Sequence, residues 1–234
     1  MKFSLIAPMG MVAILAIAGC SSSSTSTPAP PTPVTSTVID PTGDTNTGGS
    51  GTIYDITGFT ISRTGPPGGH YTTITVKATF VQPVLLPAAG ALPDATQLAF
   101  ILAFDTDNNT ATGTNYNLCS TGGGGTYNGA DFIVDGNGAT GNRLADGNYQ
   151  ITAQPASTAT GEATVIASGN TMTWTVPISA LSGVPAGPFN FGLIVGNGPA
   201  PSDCAPNSGF QPASDALAPL SGTPSSRTFT TWSH

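Results

Sequence analysis

From residue 51 onward, apolar and polar side chains alternate over short runs. In Ile74-Thr75-Val76-Lys77-Ala78-Thr79-Phe80 the even positions are apolar and the odd ones polar, the period of a strand with one face in a core and the other in water. Met172, Trp174 and Val176 alternate with Thr171, Thr173 and Thr175 in the same way. Leu98 to Phe104 and Phe189 to Val195 are apolar nearly throughout, which predicts central strands covered on both sides. Ile53 to Arg63, Ala130 to Asp135, Asn148 to Ala153, Ala163 to Ala167 and Thr228 to Trp232 complete a set of about nine strands, separated by Gly, Pro, Asn and Asp clusters. No window supports a helix of three turns, and Pro177 to Leu181 reads as a single short turn of helix. Sheets with one apolar face must cover each other. The expected fold is therefore all-β, a two-sheet antiparallel β-sandwich, immunoglobulin-like or jelly-roll-like, formed by one domain over residues 51–234.

The first fifty residues follow a different pattern. Met1 and Lys2 precede an uncharged, mostly apolar stretch, Phe3 to Gly19, that ends at Cys20. This fits a secretory signal over residues 1–19 and is marginal in length for a membrane span. Leu15-Ala16-Ile17-Ala18-Gly19-Cys20 resembles the lipobox of bacterial lipoproteins. That resemblance implies cleavage before Cys20 and lipidation of its thiol. It also implies an exported protein anchored through lipid in the cell envelope, at the outer membrane if the organism is Gram-negative. Residues 20–50 are dominated by Ser, Thr, Pro and Gly and cannot bury enough apolar surface to offset their ordering entropy. They read as a disordered linker, able to reach roughly 90 Å if extended at about 3.1 Å per residue.

Composition narrows the function classes. The chain of 234 residues has 5 Lys plus Arg against 12 Asp plus Glu, a net charge of −7. Clustered cations are missing, so nucleic acid is excluded as an expected partner. All the acids but Glu162 are Asp, a residue that favours turns and cation-binding loops.

Three cysteines are present. With Cys20 assigned to lipid, Cys119 and Cys204 are the remaining thiols, and in an exported domain they are expected to pair. Closing a loop of about 85 residues contributes up to about 4 to 5 kcal/mol in the chain-entropy model.

The residues best suited to chemistry follow the most apolar run, in Phe104-Asp105-Thr106-Asp107-Asn108-Asn109-Thr110-Ala111-Thr112-Gly113. Asp105, Asp107 and Asn109 place oxygen side chains at alternate positions of a loop, the spacing with which a chain wraps a hard cation, and Ca²⁺ is the natural guest. The loop is not an EF-hand, because Thr110 replaces the required Gly and Tyr116 the bidentate Glu. Asp131, in Gly129-Ala130-Asp131-Phe132, is the expected fourth ligand. The alternative is an Asx-rich turn in which these side chains simply accept backbone amides.

The order DTDNNTATG, GADF, TWTVPISAL, FNFGLIVGNG and then Asp203-Cys204-Ala205-Pro206-Asn207 resembles accessory sandwich domains of secreted bacterial proteins, distantly similar to family-nine carbohydrate-binding modules and DOMON domains. The resemblance implies a non-catalytic binding module with a structural cation near Asp105, Asp107 and Asp131. It also implies carbohydrate or another envelope component as the object, with no ligand-binding residue singled out. Haem ligation, known in DOMON relatives, is not expected, since Met172 alternates as a core residue does. A sugar platform would need exposed aromatics, for which Tyr54, Tyr71, Tyr116, Tyr127, Tyr149 and Trp232 are the available side chains.

Other motifs carry less. Gly136-Asn137-Gly138-Ala139-Thr140-Gly141 matches a dinucleotide fingerprint, but the following NRLADGNYQ reads as a turn, so nucleotide binding is not expected. No GxSxG or HExxH is present, His70 has no recognisable partner, and Glu162 is the lone glutamate. The expectation is a non-enzymatic, lipid-anchored envelope module. A purely structural envelope lipoprotein without small-molecule ligand stands as the alternative, and a secreted hydrolase as a third.

Overall fold

The structure is a computed structural model that describes residues 34–45, 51–66, 70–116, 127–137, 143–182, 189–197, 200–205 and 211–212. Those residues form an all-β, antiparallel protein. In chain order the strands are β1 (Val34–Ile39), β2 (Ile56–Thr64), β3 (Thr73–Phe80), β4 (Leu98–Asp105), β5 (Thr114–Tyr116), β6 (Tyr127–Ala130), β7 (Phe132–Asp135), β8 (Tyr149–Ala153), β9 (Thr158–Ser168), β10 (Thr171–Pro177), β11 (Asn190–Asn197), β12 (Ala200–Ala205) and β13 (Gln211–Pro212). A single 3₁₀ turn, Ile178–Ala180, stands where a short helical turn was expected.

Two expectations need correcting. The first is the separation into two sheets. The strands instead share one hydrogen-bonded path, β1-β2-β3-β10-β9-β8-β7-β4-β11-β12, with β13 on β11 and a separate β5-β6 pair. The path is continuous because β9 is longer than the Ala163 to Ala167 run suggested. Its first half pairs with β8 (Ala163 opposite Tyr149), and its second half pairs with β10 (Thr164 opposite Thr175). The sheet therefore curls at β9 into a nearly closed, barrel-like form. The second correction concerns the segment read as tether. Val34 to Ile39 pairs along its whole length with Arg63 to Gly58, so a strand of the sheet lies before residue 51. Composition hid this strand because its outward residues include Thr35 and Thr37 and one of its two inward, buried residues is Ser36, beside Val38.

One face of the curled sheet builds the core. Trp174, Phe100 and Tyr149 meet there edge to face, with centroids 5.3 Å and 5.0 Å from the central Phe100. Phe59 meets Phe191 at 5.2 Å. Each such side chain, fully buried, contributes roughly 1.5–3 kcal/mol, and Trp174→Ala would cost about 3–5 kcal/mol. Every residue of β4 is buried, as its unbroken apolar run predicts. The reason lies on its second face, where Ala99, Ile101 and Ala103 pack with Ile133, Ile194, Ala130 and Cys204, and half-buried Tyr116 of the β5-β6 pair adds cover.

β11 and β12 meet the segment leading into β2 without a ladder. Ser202 on β12 accepts the Tyr54 amide at 3.2 Å and donates to the Tyr54 carbonyl at 2.8 Å. Asp203 Oδ2 accepts the Ile56 amide at 2.8 Å, and Asn197 Nδ2 donates to the Thr52 carbonyl at 3.1 Å. Side chains of β11 and β12 thus satisfy backbone groups that a neighbouring strand would otherwise pair. These bonds form a seam across the gap in the nearly closed sheet.

Candidate metal centre

β4 delivers Asp105 to the rim of the sheet, opposite Asn190 of β11. Asn190 Nδ2 donates to Asp105 Oδ2 at 2.8 Å, which fixes the carboxylate's orientation. The chain then turns through Asn108 in the left-handed region, φ 55°, a conformation Asn tolerates. That turn brings the Asn109 amide to Asp107 Oδ1 at 2.9 Å and to Asp105 Oδ1 at 3.2 Å. The loop packs on the β6–β7 corner. There Gly129 has φ +86°, and a Cβ on it would lie 2.7 Å from the Asn109 carbonyl oxygen. Only glycine allows this approach. The close packing carries Asp131, just after β6, under the loop, where its Oδ2 accepts both the amide and the hydroxyl of Thr106 at 2.8 Å.

The result is a convergence of three carboxylates from distant parts of the chain. Oxygens of Asp105, Asp107 and Asp131 all lie within 4.8 Å of one another, about twice a Ca²⁺–oxygen distance of roughly 2.4 Å, so one ion could touch all three. Asp105 is buried, Asp131 half-buried and Asp107 exposed. Burial pushes the Asp105 carboxyl above its usual range; the hydrogen bonds from Asn190 and Asn109 pull it back, and the charges of Asp131 and Asp107 push it further up. A cation at the centre would relieve both the burial and the repulsion.

Asn109 directs its Oδ1 to the Ala111 amide at 3.1 Å, an Asx turn. Thr112 Oγ1 lies 3.0 Å and 3.1 Å from the Asp107 oxygens and 2.8 Å from the Asn109 carbonyl. Thr106, Thr112 and Asn190 therefore hold the acids in place, a role that sequence reasoning missed. Thr106 and Thr112 stand in the loop itself, but the contact of Asn190 depends on β-ladder register and had no local signal.

The other candidates fall elsewhere. Cys204 is buried on β12 and disulfide-bonded; its expected partner Cys119, and Cys20, lie outside the described residues. Of the aromatics considered for a sugar platform, Tyr54 and Tyr149 are fully buried, Tyr71 carries the Arg63 guanidinium 5.2 Å over its ring, and Tyr116 is half-buried; nothing is described of the Tyr127 side chain or of Trp232. Met172 and Trp174 are core residues. Gly136 backs onto the Phe100 ring, and the stretch from Arg143 to Ala153 is a bridge, a turn and β8, with no helix to receive a phosphate. His70 is exposed, and exposed Glu162 accepts from Asn148 Nδ2 at 3.2 Å. No protein-family model matches the chain, and no curated protein sequence matches it.

Proposed function

We propose that the chain is a non-catalytic module of the bacterial cell envelope, exported and lipid-anchored through Cys20, whose Asp105–Asp131 site holds a structural Ca²⁺. The observation that carries this reading is the convergence of the three carboxylates within 4.8 Å at a rim where Asp105 is buried. Hard oxygen donors, flexible loop geometry and partial exposure suit Ca²⁺ better than a metal that wants nitrogen or sulfur. The lipobox resemblance supports the address. We read the curled sheet as a sandwich of two layers that share β9, because core aromatics such as Trp174 and Phe100 meet between β10 and β4. Accessory modules of the carbohydrate-binding and DOMON type share that plan.

Within this reading a recognition role and a purely structural role compete. The burial of Tyr54 and Tyr149 takes two aromatics out of any sugar platform and favours the structural role. Thermal melting of the full chain tests the cation. With a dissociation constant near 10⁻⁴ M, about 1 mM Ca²⁺ adds roughly 1.4 kcal/mol, about 3–6 °C in Tm. That shift should shrink in Asp105→Asn. Superimposed wild-type curves with Ca²⁺ and with chelator would reduce the loop to an Asx-rich turn.

A further inference from the structure

A second group of carboxylates lies at the barrel seam, and no motif marks it in the sequence. Asp40 follows β1 directly, Asp44 lies in the turn after it, and Asp203 is on β12, more than 150 residues away. One oxygen of each lies within 4.8 Å of the other two, and all three residues are buried. Asp203 is held rigidly, its Oδ1 accepting the Cys204 amide and its Oδ2 the Ile56 amide, each at 2.8 Å. Each carboxylate oxygen has a second lone pair, so these bonds leave room for a ligand.

Asp55, just before β2, supplies an independent observation. It is 6% exposed, and its Oδ2 accepts the Gly43 amide at 2.8 Å, which seats it inside the same turn as Asp40 and Asp44. Its other oxygen, Oδ1, is buried with no hydrogen-bond partner. A buried carboxylate oxygen without a donor is strongly unfavourable unless something positive meets it. Burial raises the Asp55 carboxyl above its usual range, and the nearby Asp44 charge adds to this.

We propose that Asp40, Asp44 and Asp203, with Asp55 beside them, form a binding site for a hard divalent cation, Ca²⁺ by the chemistry of the donors, that clips the segment after β1 onto the seam of the barrel. Three buried carboxylates whose oxygens lie within 4.8 Å repel one another as anions, and a cation between them relieves that repulsion. The ligand oxygens span no more than the trans distance across one Ca²⁺. The ion joins the root of the N-terminal segment to β12, so that β1 is fastened at its end as well as by its ladder. The burial of all three carboxylates, against one of three at the loop, makes this the tighter of the two sites.

The test is equilibrium dialysis of Ca²⁺ against the full chain carrying Asp107→Asn, which weakens the loop site through an exposed residue and leaves the seam intact. The expected result is one tightly held Ca²⁺ per chain, with affinity reduced tenfold or more on adding Asp44→Asn. Should Asp44→Asn fail to fold, Asp55→Asn replaces it: the amide keeps the acceptor for Gly43 and the side-chain shape, so unchanged far-UV circular dichroism with tenfold weaker binding supports the site. No Ca²⁺ held by the Asp107→Asn chain, or binding undiminished by the seam substitutions, overturns it. Failure here would leave the Asp105–Asp131 site untouched, because that site is read by the part of the wild-type melting shift that disappears in Asp105→Asn.

Discussion

The loop and the seam use the same residue type to opposite effect. In the loop, most partners of the acids are near neighbours: Asn109 and Thr112 serve Asp107, and Asn109 serves Asp105. Asp107 is exposed, so water can solvate part of the charge. At the seam Asp40, Asp44 and Asp55 lie more than 140 residues from Asp203, all four are buried, and one oxygen of Asp55 has no donor. Locally satisfied acids can persist as a turn with or without an ion. Acids gathered by tertiary closure into a buried space cannot spread their mutual repulsion into water, so the seam should depend on its cation much more than the loop does.

The largest effect is expected from Asp203→Ala. It strands the buried amides of Ile56 and Cys204 and removes a link between β12 and the start of β2. A loss of about 3 kcal/mol is expected, a drop of roughly 6–12 °C in Tm. A smaller loss than that of Asp107→Ala would erase the distinction between the two regions. Next in size is the response to Ca²⁺. Removing it with chelator should lower the Tm of Asp105→Asn by more than that of Asp55→Asn, since the first variant keeps the tighter site. Differential melting reads this directly, and equal responses would mean equivalent sites.

A third expectation concerns pH in chelator. The carboxyls of Asp55 and Asp105 are both raised above the ordinary 3.8, chiefly by burial. A raised carboxyl stabilises the fold fully below its unfolded value and loses that contribution as pH rises through its folded value. Between about pH 4 and neutrality the wild type should therefore lose stability relative to Asp55→Asn, and likewise relative to Asp105→Asn. Asp94, lowered by its hydrogen bonds from Thr96, acts in the opposite sense and is common to all three chains. Stability curves that stay parallel across this range would contradict the burial account at both sites. The smallest effect is expected from Thr112→Ala, which removes an exposed hydroxyl from Asp107 and should cost about 0.5 kcal/mol, measurable by urea titration.

Much of this fold was legible because alternation is a local property. β3 and β10 stand where Ile74 to Phe80 and Met172 to Val176 alternate, and β4 is buried on both faces as its apolar run requires. The loop acids were legible for the same reason, since Asp105 and Asp107 are two residues apart and Asp131 stands two residues after Gly129, between β6 and β7. What escaped depends on distant closure. β1 has too few apolar residues to announce itself and acquires its place from the β2 edge. The continuity of the sheet depends on β9 changing partners midway, which no periodicity encodes. Asp40 and Asp44 looked like part of a tether, and Asp203 became relevant only once β12 met Tyr54 and Ile56.

The most direct measurement is the number of Ca²⁺ ions held by the wild-type full chain, counted by equilibrium dialysis at free Ca²⁺ from about 1 µM to 10 mM. Two ions per chain are expected, in two steps, with the tighter step lost in Asp44→Asn and the weaker in Asp107→Asn. A single class of binding untouched by either substitution, or less than one ion per chain at the highest concentration, would contradict this expectation.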